Sequence, residues 1–179
     1  TEPSTTIRTI GVELATNGAG NATYYSQGGS IISDNGDGIS SVAVDGNIPT
    51  KLTFSTIKTL NTGGLVAADG DGIRALIVND PGTAGKDGSG SIDIALDFAS
   101  KIDAGGQGNG IKADISSGLL GNIQIGTGAA GTFDGDITNV GVPTAQGTST
   151  GIRATTNGQG DIDIALLSQS EITTVGAGV

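Results

Sequence analysis

Three acidic turns carry the residue types that a hard cation needs. Asp34-Asn35-Gly36-Asp37-Gly38, Asp69-Gly70-Asp71-Gly72 and Asp134-Gly135-Asp136 each bring two carboxylates close together in the chain, and converging side-chain oxygens are how calcium is held. None of them fits the EF-hand spacing, and Gly105-Gly106-Gln107-Gly108-Asn109-Gly110 lacks the Asp that a Gly-rich calcium repeat requires. The first reading of Asp34, Asp37, Asp69, Asp71, Asp134 and Asp136 is therefore plain turn residues, with calcium as the alternative. A second chemistry would be cleavage of a glycosidic bond by paired carboxylates, for which Asp93 and Asp163 are the candidates.

Composition closes off most other chemistry. The chain of 179 residues has no Cys, His, Met or Trp, so it has no thiolate or imidazole ligand, no disulfide and no triad built on His. Eight basic against eighteen acidic residues give a net charge of −10, the wrong sign for a nucleic-acid backbone or an anionic bilayer. The five aromatic residues, Tyr24, Tyr25, Phe54, Phe98 and Phe133, are too few for a base-stacking platform. No run reaches the length of a membrane-spanning helix and no secretion leader opens the chain; Thr1-Glu2-Pro3 and the absence of Met read as a mature or excised piece of something longer.

The 33 Gly would suggest disorder, but 21 Ile and only 15% charged residues argue for short strands joined by Gly, Asn and Asp turns. Internal repeats sharpen this. Gly36-Asp37-Gly38-Ile39, Gly70-Asp71-Gly72-Ile73, Gly108-Asn109-Gly110-Ile111 and Thr150-Gly151-Ile152 carry one signal. A second follows each of them, in Lys51-Leu52-Thr53-Phe54, Gly90-Ser91-Ile92-Asp93-Ile94, Gly121-Asn122-Ile123-Gln124-Ile125 and Gly160-Asp161-Ile162-Asp163-Ile164, and a short third Ile strand closes each unit.

The first Ile recurs at 39, 73, 111 and 152, spacings of 34, 38 and 41 residues. Three strands per unit, without Trp, fit a turn of a parallel β-helix better than a four-stranded propeller blade. The expected fold is all-β, a β-solenoid of about five turns with three short strands per turn. It forms a single domain over 1–179, with an irregular N-terminal turn or cap over 1–38 and regular repeats from Ile39, Ile73, Ile111 and Ile152. Gly11-Val12-Glu13-Leu14 and Ser30-Ile31-Ile32-Ser33 are expected as degenerate strands of that first turn, and Thr6-Ile7-Arg8 as a leading strand. Tyr24 and Tyr25 read as a terminal cap, with an exposed contact as the alternative, and Phe54, Phe98 and Phe133 as plugs of the wider core.

Alternation along the strands turns Ile73, Ala75 and Ile77 inward and Arg74 outward. The outward position after the repeated Ile holds Ser40, Arg74, Lys112 and Arg153, so three of eight cations stack at ~4.8 Å on an acidic protein. This row reads either as a solvated face paired to loop carboxylates or as a strip that holds acidic or sulfated glycans or an acidic neighbour. By the same register Asp93 and Asp163 stand two turns apart, ~10 Å, which is too far for a catalytic pair.

Tandem Gly-x-Gly-Ile-x-Ala and Gly-x-Ile-x-Ile units over roughly residues 6 to 179 resemble the passenger regions of bacterial autotransporters and related type V secreted adhesins. The resemblance implies a right-handed parallel β-helix outside a Gram-negative cell, in adhesion, aggregation or host contact, and implies no catalytic residue. The expectation is thus a secreted, non-enzymatic surface protein whose partners are other copies, cell surfaces or acidic glycans. The alternatives are a filament subunit joined head to tail through open strand edges and, more remotely, a polysaccharide-cleaving enzyme.

Overall fold

The computed structural model describes residues 10–17, 20–60, 70–78, 90–105, 108–116, 120–127, 130–139 and 150–174. The described chain contains strands and no helix. They run in five successive turns: β1 (Val12–Ala15), β2 (Tyr24–Gln27) and β3 (Ser30–Asp34); β4 (Ile39–Val44), β5 (Ile48–Thr53) and β6 (Thr56–Leu60); β7 (Ile73–Val78), β8 (Ile92–Leu96) and β9 (Lys101–Ala104); β10 (Ile111–Ile115), β11 (Ile123–Ile125) and β12 (Asp136–Asn139); β13 (Ile152–Thr156), β14 (Ile162–Ile164) and β15 (Ile172–Thr174).

Every third strand pairs in parallel, which makes three five-stranded sheets: A (β1-β4-β7-β10-β13), B (β2-β5-β8-β11-β14) and C (β3-β6-β9-β12-β15). This is a parallel β-helix, in the right-handed sense that parallel crossovers take. The segment expected to be irregular, 1–38, contains a complete first turn in register with the second. Thr6-Ile7-Arg8 and Asp69 lie outside the described residues.

Each sheet contributes an inward aliphatic row to the core. Val12, Ile39, Ile73, Ile111 and Ile152 stack on sheet A; Ile48, Ile92, Ile123 and Ile162 on sheet B; Ile31, Ile57, Ile102, Ile137 and Ile172 on sheet C. The central members are fully buried, and burial of each Ile stabilises by about 2 kcal/mol. Beside the Ile row of sheet A runs a narrower one, Leu14, Ser41, Ala75, Ala113 and Ala154. Glycine closes the corner before each strand of that sheet: a Cβ on Gly72 would stand 2.6 Å from the main-chain oxygen of Gly110 and press on Ile102, so no larger residue fits without moving backbone.

Side-chain ladders tie the corners. Main-chain N–H groups of Asn47, Ser91, Asn122 and Asp161 donate to side-chain oxygens of Asn21, Asn47, Ser91 and Asn122 respectively, each one turn earlier, at 2.8–3.2 Å. The corner turns that loosen a hydrophobic solenoid are thereby hydrogen-bonded from turn to turn.

Two expectations need correction. The second strand of the second turn is not centred on Lys51–Phe54: it starts at Ile48, because Gly46-Asn47-Ile48 is the counterpart of Gly90-Ser91-Ile92. Pro49 hid it, since Pro inside a strand forfeits a ladder hydrogen bond and reads as a boundary. Nor do all three Phe fill the core. Phe133 is fully buried in a row with Leu52, Leu96 and Leu166, but Phe54 and Phe98 are 55% and 60% exposed. Phe54 sits one residue past its strand with φ 48°, so the chain has already turned and its ring points outward. There it meets Phe98 edge to face, 5.9 Å between centroids. Tyr24 faces inward against the core at the N-terminal end, as a cap would, while Tyr25 faces out.

Candidate functional site

The register of sheet A places Glu13, Ser40, Arg74, Lys112 and Arg153 in one outward row, one per turn. Arg74 and Lys112 are half-buried and Arg153 is exposed. Among the described residues none of these three cations lies within ion-pair distance of a carboxylate; the ion pair there joins Lys58 and Asp103 at 3.9 Å on adjacent turns of sheet C. Like charges on adjacent parallel strands repel.

One corner away, Asp37, Asp71 and Asn109 stack on successive turns and are buried. The Asp71 N–H donates to Asp37 Oδ1 at 3.0 Å, and both the main-chain N–H and the Nδ2 of Asn109 donate to Asp71 Oδ1 at 2.7 and 2.8 Å. Burial pushes the Asp37 carboxyl up to about 6, and the Asp71 charge adds to the rise; the Asp71 N–H and the Arg74 and Lys112 charges oppose it. These two members of the calcium set are brought together in one hydrogen-bonded stack. Asp34 ends β3, and Asp134 and Asp136 belong to the B–C corner of the fourth turn, where Asp136 Oδ1 accepts the Glu171 N–H at 3.1 Å. Among the described residues no three carboxylates converge on one point.

Sheet B has a different outer face. Pro49, Asp93, Gln124 and Asp163 form one outward row and Tyr25, Lys51 and Ala95 the next. The connection from sheet B to sheet C spans only 28–29 in the first turn and 54–55 in the second, but 126–135 in the fourth. That longer segment leaves β11 at Gly126 with φ 78°, where a Cβ would run into main chain. From residue 130 it lies over the outer face: the Ala130 N–H donates to Asp93 Oδ2 at 2.7 Å, and Gly131 stands against Ala95 and Lys51. Asp93 and Ala95 are buried beneath it although both point outward, and Asp93 Oδ1 is left without a hydrogen-bond partner.

Beside the crossing segment lie two adjoining hollows that share Tyr25. The larger, about 670 Å³, is lined by Tyr25, Ser26, Gln27, Lys51, Thr53 and Ala130. The smaller, about 350 Å³, is lined by residues that include Asn21, Asn47, Asp93 and Gln124. Asp93 and Asp163 stand two turns apart in the row, with Gln124 between them, one buried and the other exposed, so they form no pair. Sequence reasoning did not find this groove. The signals that point to it are the long fourth connection and the small Ala95 in an outward row that otherwise holds Tyr25 and Lys51.

Compared with known proteins, the chain matches no family model, no curated protein and no solved structure.

Proposed function

We propose that this chain is a secreted, cell-surface β-solenoid of the passenger type that adheres through its outer face and catalyses no reaction. The observation that carries the reading is the row Arg74, Lys112 and Arg153: three cations on consecutive turns of a protein of net charge −10, none in an ion pair among the described residues. Such a row is matched by a polyanion with regularly spaced charges, and sulfated or acidic glycans have that character. Heparin serves as the probe. Binding should weaken steeply with salt, and replacing all three cations with Ser should lower affinity by about tenfold or more; equal binding by the triple variant would sink the reading.

A second reading, head-to-tail assembly, has its own support. In the last described turn the inward Ile162 and Leu166 are 40% and 39% exposed. A second copy seated on sheet A in the same register would set its Glu13 above Arg153, and its Asn21 N–H where Asp161 continues the corner ladder. The Arg153→Glu variant should then stay monomeric in light scattering, and should co-assemble with a Glu13→Arg variant; indifference of the scattering to both charge changes counts against it.

A further inference from the structure

The groove on sheet B differs in chemistry from the cation row. Its floor is the ring of Tyr25, 65% exposed and outward on a sheet whose inward neighbour Tyr24 packs on the core. Around the ring stand four amides, one ammonium and one carboxylate: Asn21, Gln27, Asn47 and Gln124, Lys51, and Asp93. The amides of Asn21 and Asn47 are held in place because each Oδ1 accepts a main-chain N–H of the next turn. Their Nδ2 groups remain as donors beside the hollow they line.

Asp93 belongs to the wall of the groove and not to its contact surface. It is about nine-tenths buried, its Oδ2 accepts the Ala130 N–H, and its Oδ1 has no accessible surface, so it contributes charge without meeting a ligand.

The ligand class follows from the inventory. Lys51 and Asp93 cancel, so the groove has no call for a charged ligand. An exposed aromatic face offers apolar contact to a ring with C–H groups on one side, and amides with both donors and acceptors suit hydroxyls around its rim. A peptide is a poorer occupant, because the groove lies on a sheet face rather than an edge and offers no free row of main-chain groups to pair with. The lining residues come from four consecutive turns, about 14 Å along the axis, and the two hollows fall within the usual size of ligand sites. We propose that the outer face of sheet B binds an uncharged oligosaccharide. Tyr25 stacks on a sugar ring, and Asn21, Asn47, Gln124 and Lys51 hydrogen-bond its hydroxyls.

The test uses the absence of Trp: Tyr24 and Tyr25 are the tyrosines of the chain, so tyrosine emission reports stacking directly. Neutral hexasaccharides of the cello-, malto-, manno- and chito- series are titrated into the protein, with a heparin hexasaccharide as the charged control. At least one neutral member should change the emission saturably, with little difference between about 0.05 and 0.5 M salt. The Tyr25→Ala variant should weaken that binding about tenfold as read by calorimetry, and Gln124→Ala about threefold, while the Ser triple variant of the cation row binds as the parent does. The proposal is overturned if no neutral hexasaccharide binds below about 1 mM, if binding survives both Tyr25→Ala and Gln124→Ala, or if only heparin binds.

Discussion

Sheets A and B have the same five rungs, the same strand polarity and the same inward Ile rows, yet their outer faces differ in kind. Sheet A carries a continuous outward row in which three consecutive turns present a cation. Sheet B carries a row that is broken, because one long connection lies across it and buries Asp93 and Ala95. The interior is dictated by the repeat, since each inward position must match its neighbours above and below. The exterior is dictated by how long a corner is allowed to be. Periodic faces suit extended ligands met many times over; an interrupted face makes a site with an inside.

The largest expected effect comes from uprooting the segment that interrupts sheet B. Phe133 anchors it in the core between Leu96 and Leu166, so Phe133→Ala should cost about 3–5 kcal/mol in chemical denaturation. Phe98→Ala, at an exposed edge-to-face contact, should cost only about 0.5 kcal/mol. A similar loss for both variants would mean that the crossing segment is not held as described.

The acidic stack beside sheet A gives an intermediate effect with a pH signature. The Asp37 carboxyl titrates in the fold at about 6 against an ordinary 3.8. A carboxyl raised in the folded state stabilises the fold below its unfolded pKa, and that contribution is lost as pH climbs through about 6. The Asp37→Asn variant keeps an acceptor for the Asp71 N–H and removes the charge beside Asp71, as Asn109 does in the next turn but one. It should match the parent in unfolding free energy near pH 4 and exceed it by about 1–2 kcal/mol at pH 8, after allowance for solvent screening. A constant difference across that range would refute the assignment.

Smallest is the contribution of the charge pair on sheet C. Lys58 and Asp103 alternate in sign where Arg74 and Lys112 do not. Lys58→Ser should cost about 0.5 kcal/mol in dilute buffer and nothing in half-molar salt; a loss that persists in salt would point to packing instead of charge.

The interior was readable because its rule is simple. Ile39, Ile73, Ile111 and Ile152 announce one row, and the spacing between them assigns sheets, turns and the outward place of Arg74, Lys112 and Arg153. What escaped reading lay at corners. Pro49 masks a strand that tertiary pairing forms regardless, and Phe54 reads as core although the chain turns its corner at Phe54 itself. The groove escaped for a deeper reason. Asp93 is an unremarkable outward Asp in its own strand, and only a segment from the following turn, folding back over it, makes it a buried one. Strand periodicity carries no information about such contacts between a corner and a neighbouring face.

The corner ladder gives the rod a sense of direction. In each link the later turn donates and the earlier one accepts, from Asn21 through Asn47, Ser91 and Asn122 to Asp161. Two rods meeting by their last turns would bring Asp161 carboxylates face to face with no donor between them, so a twofold-symmetric joint is penalised by its own symmetry. Any end-on contact that extends this ladder is heterologous and repeats with the same polarity at every joint. Along its axis the solenoid thus has the polarity of an arrow, with one face of every turn donating and the other accepting.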